Sequence, residues 1–293
     1  VHGGPFANIA HGCNSVIATK TAMSYADYVV TEAGFGADLG AEKFFDVKCR
    51  TSGIRPSCVV IVATVRGLKY NGGVPKAETG VPNVDALKKG AVNLVKHIEN
   101  IRGVFGMPCV VAINRFVTDS AEEIDYLKTL CAECGASAYV ADVWAKGGAG
   151  ASELAAAVVE LMDKSCAELK FAYSDGESIK DKISAVCRKV YGADGVDYTE
   201  EAERTIERLQ GESVCASLPV CIAKTQYSLS DDQTKLGRPS GFRITVREVY
   251  YRAGAGFIVA VTGKILLMPG LGKTPAAEGM TIDAESGEIK GLF

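Results

Sequence analysis

A glycine-rich loop near the start of the chain holds the first residues that could do chemistry. A short apolar run predicts a strand over 28–31, and from about Ala37 the pattern becomes helical. Between the two lie Gly34, Gly36 and Gly40. Strand, glycine loop and helix form the arrangement that turns backbone N–H groups toward an anion. A tight turn without any ligand has the same pattern, so the glycines alone do not decide between the two.

Acidic residues distinguish this loop from an ordinary turn. Glu32 and Asp38 lie on a segment that should otherwise hold an anion. A carboxylate beside an anion is favourable only when a positive charge lies between them. The two residues therefore suggest a metal or another cation between carboxylate and phosphate.

Two aromatic residues directly follow predicted strands. Phe116 comes after a strand predicted over 109–114, and Trp144, the single tryptophan, comes after a strand predicted over 137–143. Carboxyl ends of parallel strands meet at the ligand edge of an α/β sheet, so these two rings could hold a flat ligand between them. Core packing is the alternative for Phe116. Trp144 is followed by glycines, which makes a place in the core harder to assign.

Basic and imidazole side chains lie in two other loops. Three basic residues follow the strand predicted over 58–65, and they are Arg66, Lys69 and Lys76. They could meet phosphate or carboxylate groups, or form an ordinary solvated loop. His2 and His11 lie among glycines in the first residues of the chain, where histidines serve either a site or a capping role.

The elements that must position these groups alternate between strand and helix. Helices are predicted over 14–26 and 84–102, and a capping box begins another at Ser120. This alternation predicts an α/β fold with doubly wound, mostly parallel sheets. After about Gly192 strands predominate, with one helix predicted over 198–209, which indicates a small C-terminal α+β domain. The predicted domains are therefore 1–83, 84–191 and 192–293.

Composition argues against some classes of protein. The 293 residues are 47% hydrophobic and 23% charged, with a net charge of −3 and no basic block, which argues against a nucleic-acid partner. No apolar run approaches the ~18 residues of a membrane span. The ten cysteines are scattered, as in a protein of the reducing cytoplasm. The first residue is Val1 and no signal-peptide pattern follows it, so we expect an internal cut or a partial chain.

Several long blocks carry a family resemblance. The segment around the glycine loop reads VTEAGFGADLGAEKFFDVKCR, and VHGGPFANIAHGCNS precedes it. Further blocks are PNVDALKKGAVNLVKHIENI, PCVVAINRF, KTQYSLSDD, GFRITVREVYYRAGAGFIV and MPGL. Together they closely resemble the formate–tetrahydrofolate ligase family. The resemblance covers the whole chain and corresponds to about the C-terminal half of the family's sequence.

The resemblance implies a two-step reaction. Formate attacks the γ-phosphate of ATP to give formyl phosphate, and N10 of tetrahydrofolate then displaces phosphate to give 10-formyltetrahydrofolate. The implied partners are formate, ATP with Mg²⁺ and tetrahydrofolate, in a cytoplasmic enzyme of one-carbon metabolism. A monovalent cation and a homo-oligomer are further expectations. The family's phosphate-binding loop lies in its N-terminal portion, and GLGKT at 270–274 is no substitute, because Leu267 stands where that motif needs glycine.

The resemblance also implies roles for particular residues. The catalytic group near formyl phosphate comprises Phe35, Gly36, Asp38 and His2. The folate-contacting group comprises the pterin-stacking pair Phe116 and Trp144 together with Val117 and Val140. Val117 replaces the proline that the family usually has after INRF. No residue of this chain is assigned to a metal.

Two other interpretations are open at this point. Without a phosphate loop, the chain could be a catalytically incomplete folate-binding or assembly module, and we expect the 293 residues alone to be inactive. A Rossmann-like dehydrogenase would need GxGxxG between a strand and a helix, with an acidic residue downstream. That pattern does not occur in the sequence.

Overall fold

Helices and strands alternate through most of the chain, and the computed structural model describes residues 12–164, 167–263, 265, 274–286 and 289–291. The α-helices are α1 (Val16–Tyr25), α2 (Gly40–Lys43), α3 (Arg50–Ser52), α4 (Val65–Asn71), α5 (Val84–Glu99), α6 (Ala121–Glu133), α7 (Val143–Lys146), α8 (Ser152–Lys164), α9 (Ile179–Val186), α10 (Glu200–Gly211) and α11 (Ser213–Ala216). Segments of π-helix lie at Phe44–Cys49, Asn100–Val104 and Cys187–Tyr191, and 3-10 turns lie at Lys76–Glu78, Gly147–Ala151 and Ala276–Gly279. The strands are β1 (Val59–Ala63), β2 (Cys109–Asn114), β3 (Ala138–Ala141), β4 (Gly195–Tyr198), β5 (Val220–Ala223), β6 (Arg243–Arg252), β7 (Phe257–Thr262), β8 (Thr281–Ile282) and β9 (Ile289–Lys290).

The first sheet is parallel and has the order β1-β2-β3. The central strand β2 is a continuous apolar run whose first five residues are buried, as expected for a strand covered on both faces. The edge strand β1 is less covered, since the side chains of Val60 and Val62 are 38% and 67% exposed. In the described part of the chain, β1 therefore presents both an open edge and apolar side chains to solvent.

The second sheet has the order β4-β6-β7-β5 and mixes both strand directions. The outer strands run parallel to their neighbours, whereas the central pair β6 and β7 is antiparallel. All six residues of β7 and all four of β5 are buried. Helices α9 and α10 pack on this sheet and share its core with the first one.

The predicted α/β class with parallel strands is confirmed. The capping box at the start of α6 is present, with Ser120 and Glu123 bonded to each other's backbone N–H groups. Two short strands near the end of the chain form the antiparallel pair β8–β9. Across the described residues, no helix has the length and apolar character needed to cross a membrane.

One predicted strand is wrong, and one predicted helix is confirmed with a start two residues later than expected. Residues 28–31 form no strand, and the side chain of Val30 is 92% exposed, because the described structure offers that segment no neighbouring strand to pair with. The helix predicted over 198–209 begins later, at Glu200, with Thr199 as its N-cap. The two residues before Thr199 belong to β4, which pairs with β6. Pairing with β6 therefore keeps Asp197 and Tyr198 in the strand and delays the start of the helix to Glu200.

One predicted domain boundary divides a sheet, and the other lies between a helical turn and a strand. The boundary between 83 and 84 separates β1 from β2, which are hydrogen-bonded neighbours in one sheet. The boundary at 192 lies at the end of a π-helical turn, where Gly192 is left-handed with φ 81° and β4 follows. The three-domain division stays a prediction.

Candidate active site

The glycine loop is held in an unusual backbone conformation. Phe35 has φ 64° and is the one non-glycine residue with a left-handed φ among the described residues. Such a conformation costs about 1–3 kcal/mol and persists only where the surroundings fix it. The N–H of Gly34 donates to the carbonyl of Gly12, and that of Gly40 donates to the carbonyl of Gly36. The loop predicted as an anion site is therefore folded back on itself and strained at Phe35.

Asp38 lies under this loop rather than in solvent. Its side chain is buried, and Oδ2 lies 3.0 Å from Nζ of Lys224, which is itself fully buried. Burial by itself would raise the pKa of Asp38, but the Lys224 ammonium lowers it below its ordinary value. Asp38 is thus an ion-pair partner. Its neighbour Glu32 is exposed, so the two carboxylates do not share one buried cation site.

The same contacts explain why Gly36 is a glycine. A Cβ at this position would lie 2.6 Å from Oδ1 of Asp38 and 4.0 Å from Cε1 of His97. The Asp38 carboxylate therefore packs directly on the backbone of Gly36. His97 on α5 lies beside this loop, with Nδ1 buried and without a hydrogen-bond partner. Burial lowers the pKa of His97, which keeps the imidazole neutral.

A second pair of carboxyl groups lies deeper, on the helix that follows the loop. Glu42 and Asp46 are both fully buried, one turn apart, where the α-helix changes to a π-helix. Asp46 Oδ1 accepts hydrogen bonds from Arg50 and from the N–H of Ala172, each at 3.0 Å. Burial, with the charge of Asp46 close by, raises the pKa of Glu42 well above its ordinary value. Both side-chain oxygens of Glu42 and Oδ2 of Asp46 are buried without a hydrogen-bond partner among the described residues, and a proton retained on Glu42 removes the repulsion between the two carboxylates.

The other half of the candidate site lies at the carboxyl edge of the first sheet. Asn114 at the end of β2 is paired with Ala141 at the end of β3, and Phe116 and Trp144 follow within two and three residues. The predicted position of both aromatics at one sheet edge is therefore what the structure shows. The ring of Phe116 is 36% exposed and that of Trp144 is 83% exposed, so each has a face available.

An aspartate fixes the turn that carries Phe116. Oδ2 of Asp119 accepts from the N–H of Phe116 at 2.9 Å, and the N–H of Asp119 donates to the carbonyl of Phe116 at 3.0 Å. Val117 is 90% exposed and contributes nothing to this closure. The side chain of Asp119 thus fixes the turn that carries Phe116.

Arg66 covers one face of Phe116. The guanidinium carbon lies 4.3 Å from the ring centroid, and Nη2 donates to Oγ1 of Thr118 at 3.2 Å. A cation over an aromatic face attracts the negative side of the ring quadrupole. Arg66, which the sequence offered as a phosphate or carboxylate ligand, is therefore bound to the aromatic ring. Phe116 keeps 36% of its surface exposed beside this contact.

Asp142 connects the two aromatic loops. Its Oδ2 lies 3.6 Å from Nη1 of Arg115, next to Phe116, and 3.3 Å from Nζ of Lys146, two residues beyond Trp144. Its backbone N–H also donates to the carbonyl of Gly150, which closes the loop containing Trp144. No sequence pattern pointed to Asp142, although an acidic residue two positions before Trp144 was the available signal.

The remaining predicted site residues are distributed differently. Val140 lies inside β3, opposite Ile113, and packs against the core. Lys69 is fully buried, 2.9 Å from Glu123, and is a structural ion-pair partner. Lys76 lies over the rings of Tyr70 and Tyr227, with its Nζ 5.6 and 4.8 Å from their centroids. His2 and His11 lie outside the described residues.

Fold and site together place the chain among α/β proteins that carry exposed aromatic side chains on the loops after parallel strands. The family model described as formate–tetrahydrofolate ligase matches residues 1–293, so the chain belongs to that family. Over 293 residues it is 57% identical to the formate–tetrahydrofolate ligase of Symbiobacterium thermophilum. That alignment covers 100% of this chain and 52% of the relative, so the chain spans about half the length of the curated relative.

Proposed function

We propose that this chain supplies the tetrahydrofolate-binding residues of an ATP-dependent ligase that joins formate to tetrahydrofolate. The observation that supports this most strongly is the pair of exposed aromatics, Phe116 and Trp144, at the ends of adjacent parallel strands. Pterin is a flat, polar-edged ring, and two such faces would hold it by stacking, each worth ~0.5–1.5 kcal/mol beyond burial. Family membership supports the same assignment.

In this proposal the aromatic pair orients the folate so that N10 can attack formyl phosphate. The face of Phe116 opposite Arg66 and the open face of Trp144 bind the pterin, while Asp142 holds their loops in register. Val117 borders the ring as an exposed neighbour, and Val140 supports the strand from inside. Little covalent catalysis is required of the protein in such a reaction, because positioning contributes most of the rate.

We assign the formyl phosphate end to the strained loop of Phe35 and Gly36. Asp38 acts there from below the loop through its ion pair, and His2 belongs to the same end by family resemblance. The Mg²⁺-bound phosphates of ATP would rest on residues other than these 293, since the printed sequence contains no GxxxxGK[ST] loop. A monovalent cation, a homo-oligomeric state and a cytoplasmic location complete the proposal.

The test is a formyl-transfer assay on the complete polypeptide that carries this chain. Formate, ATP and tetrahydrofolate together should give 10-formyltetrahydrofolate and ADP, and omission of any one substrate should abolish both products. The 293-residue chain assayed alone should give neither. Product formation without tetrahydrofolate dependence, or ADP release that is indifferent to formate, would contradict the proposal.

A further inference from the structure

Lys224 connects the second sheet to the loop proposed for formyl phosphate. It is the first residue after β5, the outer strand of the second sheet, and its side chain is fully buried. Its Nζ nevertheless reaches Asp38, far away in sequence, at 3.0 Å. The C-terminal sheet thereby contributes a charged group to a loop that lies near the beginning of the chain.

The ammonium of Lys224 is fixed in direction as well as in place. Besides Asp38, it donates to the carbonyl of Thr225 at 2.8 Å and to the carbonyl of Ser228. An ammonium has three N–H donors, so these acceptors use all of them. The ring of Tyr191 lies 5.0 Å from the same nitrogen. Lys224 therefore has little freedom to move, and neither does the carboxylate that it binds.

Stability alone does not explain this buried pair. Desolvation of two charges costs several kcal/mol per ion, and a well-packed apolar pair is often at least as stable. The position of the pair points to another role, because Asp38 Oδ1 packs against Gly36 and the next residue back is Phe35 with its left-handed φ. The pair is the support on which the strained part of the loop rests.

We infer that Lys224 is a positioning residue for the acyl-phosphate loop, which it holds in its strained conformation by fixing the carboxylate of Asp38. The inference rests on the proposed function for the chemistry that the loop serves. It assigns to the C-terminal sheet a part in the formyl phosphate end of the site. It also means that Asp38 acts through Lys224 and the loop backbone, with no direct bond to a substrate.

The experiment compares Lys224→Met, Asp38→Asn and the double variant in the complete polypeptide. Each should lower kcat for formyl transfer by roughly 10- to 100-fold, the loss that a misplacement of about 1 Å brings. The apparent affinity for tetrahydrofolate should change less than about threefold, since the aromatic pair is untouched. The double variant should be no worse than the worse single one, because both changes release the same support.

Lys182→Met is the matched control. Lys182 is also fully buried and donates to the carbonyls of Ala216 and Leu218 at 2.9 and 3.0 Å. Those acceptors lie outside the glycine loop, so this variant should keep its kcat once folded. Hydrogen exchange at 33–40 should accelerate in Lys224→Met and stay unchanged in Lys182→Met.

Three results would overturn the inference. One is a folded Lys224→Met enzyme with unchanged kcat, and another is a loss of folate affinity equal to the loss of kcat. If Lys224→Met does not fold because it leaves the charge of Asp38 unpaired, the double variant takes its place in the test, since it buries neither charge. Full activity of the double variant would be the third result. If the unmodified enzyme makes no product, the proposed function fails, and hydrogen exchange at 33–40 still tests Lys224.

Discussion

Replacing Glu42 by glutamine should change how the stability of the protein depends on pH. Glu42 is fully buried beside Asp46, and burial together with that charge raises the pKa of Glu42 well above its ordinary value. The folded protein therefore retains a proton that the unfolded chain releases above pH ~4.5. Where the folded state binds more protons than the unfolded one, stability falls as pH rises. The stabilisation from this proton is fully present below the pKa that Glu42 has in the unfolded chain. It is lost as the pH rises toward the higher pKa that Glu42 has in the folded protein.

The magnitude follows from one retained proton. The free energy of unfolding of the unmodified protein should fall by about 1.4 kcal/mol per pH unit relative to Glu42→Gln, from about pH 5 until Glu42 ionises in the folded state. Glutamine has nearly the same shape as glutamate and carries no charge, so the variant should fold. Urea denaturation followed by circular dichroism between pH 5 and 8 measures the difference at each pH.

Glu153→Gln provides the control, because Glu153 is exposed on α8. Its stability curve should stay parallel to that of the unmodified protein over the whole range. A Glu42→Gln curve that is also parallel would refute the reasoning, since it would mean that Glu42 carries the same charge in the folded and unfolded states.

Three further predictions test other parts of the structure. The open edge of β1 should make the 293-residue chain self-associate, and Val62→Lys should shift it toward monomer in analytical ultracentrifugation, because Val62 is 67% exposed on that edge and a charge there blocks edge-to-edge pairing. An unchanged mass distribution would rule out the edge as the cause. Gly40→Ala should lower the free energy of unfolding by about 1–3 kcal/mol, because its Cβ would overlap the carbonyl oxygen of Gly34. Gly148→Ala should leave the free energy of unfolding unchanged, because its Cβ meets open space. Arg66→Met should weaken tetrahydrofolate binding by ~0.5–1 kcal/mol, measured by titration, through loss of the cation on Phe116; unchanged affinity would mean that the ring needs no support from Arg66.

Much of the fold follows from local pattern. The β-branched runs that predict strands near 58–65 and 109–114 become β1 and β2, because such residues pack well on a pleated surface wherever they are paired. The run at 28–31 has the same composition and forms no strand. The two cases differ in whether a neighbouring strand is present to pair with, and the local sequence does not reveal this.

The candidate site likewise contains some residues that the sequence predicts and others that it does not. The edge position of Phe116 and Trp144 follows from strand ends, which the pattern gives directly. The ion pair of Asp38 with Lys224 joins residues 186 positions apart, from 38 to 224, and only the packing of two sheets brings them together. The buried Glu42 likewise looks, in sequence, like an ordinary charged position on a helix.

The most direct test of the account is a titration of the 293-residue chain with tetrahydrofolate. Trp144 is the single tryptophan and its side chain is 83% exposed, so its fluorescence reports on this site alone. The account predicts saturable quenching, with an affinity that Phe116→Ala lowers by roughly 1–3 kcal/mol through lost burial and stacking. Absence of quenching, or quenching that is unaffected by Phe116→Ala in a folded sample, would contradict the claim that these two rings bind the folate.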